Sequence, residues 1–214
     1  MASTEPADSL KRALRDVGGL GTAGIPRLLE SRREARDIAD MGPNIDVALD
    51  FEANRASAMS STLADYRVIH FATHGIIDND HPELSGVVLS LFNEKGEPQD
   101  GFLRLHDIYN LKLPVDLVVL SACSTGLGRE IVGEGLIGLV RGFMYAGSRR
   151  VLASLWKVDD EATSELMTRF YRAMFEKRLT PSAALQAAQI DMLKTRRFAH
   201  PFYWAGFVLQ GEWK

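Results

Sequence analysis

The chain holds one cysteine, Cys123, among its 214 residues. A single thiol excludes an intramolecular disulfide framework and a Cys-rich zinc site, and it suits a reducing, cytoplasmic setting. The N-terminus lacks the basic-then-apolar pattern of a secretory signal. No apolar run approaches the length of a membrane span, so no membrane partner is expected. No Asn-x-Ser/Thr acceptor, no internal repeat and no low-complexity tract occurs. The net charge is only −3, and nothing in that balance points to nucleic acid. Arg32-Arg33, Arg149-Arg150 and Arg196-Arg197 are isolated pairs that read as solvated surface. A serine α/β-hydrolase is disfavoured because there is no Gly-x-Ser-x-Gly elbow.

What is present is an ordinary globular composition, 46% hydrophobic and 25% charged, in a chain long enough to bury a real core. Residues 1–24 are polar and Gly-rich and read as a loose lead-in or linker; residues 25–214 read as one domain. Pro26 opens a helix that Met41-Gly-Pro43 stops. Asp46 to Phe51 alternates apolar and acidic residues and reads as a short strand. Asn54 to Leu63 reads as a helix. Val68 to Ala72 and Leu117 to Leu120 are buried strands, with shorter strand signals at Gly86 to Phe92 and Gly101 to Leu103. Further helices are expected over Arg104 to Asn110, Gly133 to Ala146, Glu161 to Glu176 and Pro181 to Lys194. Strands at Arg150 to Leu155 and Trp204 to Leu209 complete the set. Strands alternating with helices at this spacing imply an α/β fold, a mostly parallel central sheet with helices on both faces.

In such sheets, sites lie at the carboxyl ends of the strands. Three candidate stretches fall there. The first strand leads to His74-Gly75 and the next long one to Ser121-Ala-Cys123-Ser-Thr-Gly126. The strand after that leads to Trp156-Lys-Val-Asp159-Asp160. A lone cysteine is by itself more often a small buried hydrophobe than a catalyst. Its small polar surroundings, Ser121 among them, suit a thiol open to a cleft, and a nearby imidazole would lower its pKa. His74 is the expected base, with Gly75 after it to permit a sharp turn. The backbone N–H groups of Gly75 and Cys123 would hold an oxyanion. Of the other histidines, His70 lies inside the strand and reads as a satisfied core or edge residue. His81 lies in the polar loop after His74 and could line the cleft, while His106 and His200 read as structural or surface groups. Asp159 and Asp160 beside Trp156 have two readings, a pocket for a basic side chain or a helix N-cap, with one Asp free to do each. Gly133-Glu-Gly-Leu-Ile-Gly138 matches a dinucleotide fingerprint literally, but it begins some ten residues late, and close helix packing explains the glycines better. No cofactor or metal is expected.

Together, His-Phe-Ala-Thr-His-Gly, Leu-Ser-Ala-Cys-Ser-Thr-Gly, Gly-Glu-Gly-Leu-Ile-Gly, Ala-Ser-Leu-Trp-Lys-Val-Asp-Asp-Glu-Ala-Thr and His-Pro-Phe-Tyr-Trp-Ala-Gly-Phe resemble the CHAT family of caspase-like cysteine peptidases, akin to separase protease domains. The resemblance spans roughly residues 25–211. It implies a caspase-like three-layer sandwich and a His/Cys dyad at His74 and Cys123. Peptide bonds of a protein substrate would be hydrolysed through an acyl-thioester. The spacing agrees with a caspase-type arrangement, where the His lies about 50 residues upstream of the Cys. Ser124 stands where many members carry an acidic residue and separases a serine. Asp160 matches the separase position that binds a basic P1 side chain. Many relatives are fused to TPR-type sensor modules, so a regulatory partner is implied as well. The alternative is a latent interaction or scaffold domain on the same fold.

Overall fold

In the computed structural model, residues 28–77, 83, 85–121 and 134–212 are described. Helix α1 spans Ser31–Ala39 and a short α2 spans Arg55–Ala58, followed by a 3-10 turn at Ser61–Asp65. Strands β1 (Val68–Phe71), β2 (Gly75–Ile76), β3 (Gly86–Val88) and β4 (Phe102–Arg104) come next. Then follow α3 (Leu105–Tyr109), β5 (Leu117–Leu120), α4 (Glu134–Tyr145), β6 (Arg150–Ser154), α5 (Asp160–Phe175) and α6 (Pro181–Lys194). A 3-10 turn at Pro201–Tyr203 leads into β7 (Phe207–Gly211).

The main sheet has the order β1-β5-β6-β7. β1, β5 and β6 are parallel, and β7 returns antiparallel to β6. A second, antiparallel sheet, β2-β3-β4, extends the chain beyond the end of β1. Every residue of β5 is buried, as a central strand covered on both faces should be. Side chains of alternating parity feed two cores. Ile69, Phe71, Val118, Leu120 and Val151 pack under α3 and α4 with Ile108, Leu139 and Phe143. Leu117, Val119, Leu152 and Phe207 pack under α1, α5 and α6 with Ile38, Leu166, Phe170 and Met192. The architecture is the α/β sandwich expected from the sequence.

Two stretches differ from expectation. The helix expected over 54–63 is broken between Ala58 and Ser61, where Ser60 is extended and its hydroxyl accepts the Thr62 N–H. Residues 46–51 form no strand. Their acidic residues are used by side chains instead: Asp46 accepts the Tyr66 hydroxyl, and Asp50 pairs with Arg32. Asp50 has φ 51°, the left-handed region, and the Glu52 N–H turns back to the Leu49 carbonyl at 3.0 Å. The alternation was real, but side-chain anchoring and a turn replace the ladder.

Candidate active site

The register of β1 on β5 governs the geometry. Phe71 pairs with Leu120, and the Ser121 N–H donates to the Phe71 carbonyl at 3.2 Å. His74 stands three residues beyond Phe71, and Cys123 three beyond Leu120. Cys123 and Ser124 themselves lie outside the described residues, as does His81. His74 is buried, 8% exposed, and its carbonyl accepts the Val88 N–H at 2.8 Å. Next to it, the Thr73 hydroxyl donates to the Val88 carbonyl, and Gly75 opens β2 opposite Val87. The exit of β1 is therefore clamped to β3. An open cleft of about 1150 Å³ runs along the outer edge of β1, with both His70 and His74 on its wall.

Ser121 is 3% exposed, and its hydroxyl has no hydrogen-bond partner among the described residues. A buried unpartnered hydroxyl is uncommon and costs stability; here it sits at the end of β5. On the next strand, Ser154 donates its hydroxyl to the Trp156 carbonyl at 2.6 Å. The Trp156 indole donates to the Phe202 carbonyl at 2.9 Å and stacks on the Phe202 ring, 6.5 Å between centroids. Gly206 lies directly beneath, where an added Cβ would stand 2.8 Å from the indole. Trp156 is thus fixed by three contacts.

The two aspartates divide their roles. Asp159 caps α5, accepting the Ala162 N–H at 3.0 Å. Asp160, the first residue of α5, accepts the Glu30 N–H at 3.0 Å and so ties the start of α1 to the start of α5. Burial pushes the Asp160 carboxyl above its ordinary value. The Glu30 amide opposes this, and the charges of Glu34, Glu30 and Asp159 add to it. Among the described residues no Lys or Arg pairs with Asp160.

His70, expected to be a satisfied core or edge histidine, is half-buried on the cleft wall and only partly satisfied, since Nε2 has no hydrogen-bond partner among the described residues. Nδ1 lies 3.0 Å from the Tyr171 hydroxyl, and Nε2 lies 2.8 Å from Glu34 Oε1. The second contact is an ion-pair distance, although the ring N–H does not aim along it. Glu34 is 2% exposed. Neither Glu34 nor Tyr171 was singled out from the sequence. The available signal was Glu34 one helical turn before Ile38, a carboxylate on the apolar stripe. His106 and His200 are exposed; His200 Nδ1 accepts the Phe202 N–H at 3.2 Å. Gly138 and Gly142 face α3, where a Cβ at Gly142 would meet Leu105 at 2.9 Å, so glycines here serve helix packing. Among the described residues no group of three His, Cys, Asp or Glu could hold a metal, and no helix is long and apolar enough to cross a membrane.

The chain is an α/β sandwich with a mostly parallel main sheet, and in the sequence His74, Cys123 and the Asp159-Asp160 pair each follow one of three adjacent strands. The model of the CHAT domain family matches residues 6–212, and the chain belongs to that family. It is also similar to human tetratricopeptide repeat protein 28, 38% identical over 114 residues, 53% of this chain and 4% of that protein. The mouse protein of the same name is 38% identical over 110 residues, 51% of this chain and 4% of its own length. The chain thus spans a small fraction of these relatives.

Proposed function

We propose that the chain is a cysteine endopeptidase acting through His74 and Cys123. The observation that carries this is the β1–β5 register: two parallel neighbours, paired to the last residue, each continue three residues to a histidine and to the only cysteine. His74 takes the Cys123 proton, and the thiolate attacks the scissile carbonyl carbon. The oxyanion is held by the Gly75 and Cys123 N–H groups. As the C–N bond breaks, His74 protonates the leaving amine. Water then attacks the thioester, giving its proton to His74, which returns it to the sulfur.

The substrate is a protein cleaved after a basic residue. Asp160 provides the charge, supported by Asp159, with Trp156 and Ser121 as walls. A half-buried carboxylate with raised proton affinity and no cationic partner among the described residues favours an arriving Arg or Lys. No cofactor or metal takes part. A reducing, cytoplasmic location suits the lone thiol. A sensor module of the repeat type named in the relatives is the proposed partner.

One observation favours the alternative of a latent scaffold domain: the Glu30 amide already occupies Asp160 Oδ2. An arginyl chloromethyl ketone decides between the two. The peptidase reading expects Cys123 to be labelled far faster than free cysteine, with labelling and peptide cleavage both lost in Cys123→Ala and His74→Ala. Labelling at the rate of the free amino acid would sink it.

A further inference from the structure

We propose that Glu34, His70 and Tyr171 form a buried positioning triad that seats β1, and through it His74, against the element that carries Asp160. None of the three is assigned to touch substrate. The proposal rests on the peptidase reading only for its catalytic consequence.

The three residues come from three elements, α1, β1 and α5. Their polar atoms meet at 2.8 Å and 3.0 Å inside an otherwise apolar layer. The His70 and Tyr171 rings also stack, 5.5 Å apart and 21° from parallel. Tyr171 is fully buried; that burial and the Glu34 charge raise its proton affinity well above the ordinary value, so it stays a phenol. Among the described residues Glu34 has no Lys or Arg partner. A Tyr171 phenol that donates to Nδ1 leaves the ring N–H on Nε2, which stands at an ion-pair distance from Glu34.

Three apolar side chains would fill the same space and avoid the cost of burying a carboxylate. What they would lack is direction. Apolar faces slide over one another at little cost, whereas a hydrogen bond, a ring stack and a close polar contact meeting at one histidine restrict the seating. β1 needs such a device because, among the described residues, it is the edge strand of the main sheet, held by β5 on one side and facing the cleft on the other. His74 follows His70 by four residues, and its other side is already clamped to β3 by the Val88 bonds. One turn before Glu34, the Glu30 amide holds Asp160. Helix α1 therefore links the strand that leads to the candidate base with the candidate specificity carboxylate.

The decisive experiment uses the full chain as wild type, Tyr171→Phe, Glu34→Gln and the double variant. Tyr171→Phe removes one oxygen and leaves the packing. Two readouts are taken under conditions where each variant is folded: the titration of the His74 ring by nitrogen NMR, and the rate of Cys123 alkylation by iodoacetamide against pH. Because small misplacements cost large factors in rate, each single variant should slow alkylation by about ten-fold near pH 7. Each should also displace the His74 titration, and the double variant should be no worse than the worse single. The triad would be merely structural, and the proposal overturned, if thermal stability fell while both His74 and Cys123 titrated as in wild type. If wild-type Cys123 alkylates no faster than free cysteine, the dyad fails, yet the His74 titration still decides the triad.

Discussion

At the scale of single residues, Asp107 shows how a buried charge is kept. It is 5% exposed, and Arg55 meets it at 2.6 Å while the Arg104 N–H donates to it at 3.0 Å. Burial pushes its carboxyl up, but the Arg55 hydrogen bond, the Arg104 amide and the charges of Arg55 and His106 together hold it below its ordinary value of 3.8. A depressed value in the fold means the stabilisation is complete above 3.8 and is lost as pH falls through the folded value. Asp107→Asn should therefore cost about 2 kcal/mol at pH 7 in urea unfolding. The gap from wild type should begin to narrow only below pH 3.8 and close as pH falls through the lower folded value, where Asp107 too becomes neutral. Gly206 makes a steric prediction. A Cβ there would meet ring atoms of Trp156 at 2.8 and 3.0 Å and the Ser154 hydroxyl at 3.1 Å. A fixed indole cannot yield as a flexible chain end would, so Gly206→Ala should cost about 1–3 kcal/mol and shift the tryptophan emission. Unchanged emission with unchanged stability would show that Trp156 moves freely.

At the scale of elements, the start of α5 separates two roles that the sequence left together. Asp159→Ala should cost about 1 kcal/mol as a lost N-cap, and it should weaken the preference for a basic residue less than removal of Asp160 does. Asp160 can be tested by contrast. Asp160→Asn keeps an acceptor for the Glu30 amide, while Asp160→Ala removes it. The raised carboxyl means that ionised Asp160 opposes folding above its folded value, a penalty relieved as pH falls through it. Asp160→Asn should then be neutral or stabilising at pH 7, and Asp160→Ala should lose about 1 kcal/mol. Both should lose any preference for Arg at P1; a preference retained in Asp160→Asn would assign Asp160 to capping alone. The elements that could be read from the sequence are those whose signals are local. Pro181 and the Thr180 cap open α6 at the residue where it begins, and the apolar run of β5 lies where its four residues pair. What was hidden depends on distant partners. Nothing near Glu34 announces His70, 36 residues on, or Tyr171, and nothing near Asp160 announces an amide 130 residues away. The strand expected at 46–51 failed for the same reason, since Arg32 and Tyr66 claim its aspartates from outside the segment.

At the scale of the molecule, the main sheet is the shared wall of two cores. Leu139 on α4 belongs to one and Leu166 on α5 to the other, and both are fully buried. The strands between them contribute alternate residues to each side: Val118 and Leu120 to the first, Leu117 and Val119 to the second. Neither core can be lost while the other keeps its wall, so the domain should unfold in one transition. Leu139→Ala and Leu166→Ala should each cost about 2–5 kcal/mol, according to how far the cavity collapses. With a sheet between them and no shared side-chain contact, their effects should add to within about 0.5 kcal/mol in the double variant. Trp204 packs against the α5 core, so in a background with Trp156 and Trp213 replaced by Phe its emission watches one side while far-ultraviolet dichroism watches the whole. For Leu139→Ala, on the opposite side, the two probes should give coincident urea midpoints. An emission midpoint left at the wild-type value while dichroism moved would mean that the two layers unfold separately. The sheet would then transmit nothing between α4 and α5, and the strand ends that carry His74 and Asp160 could shift independently.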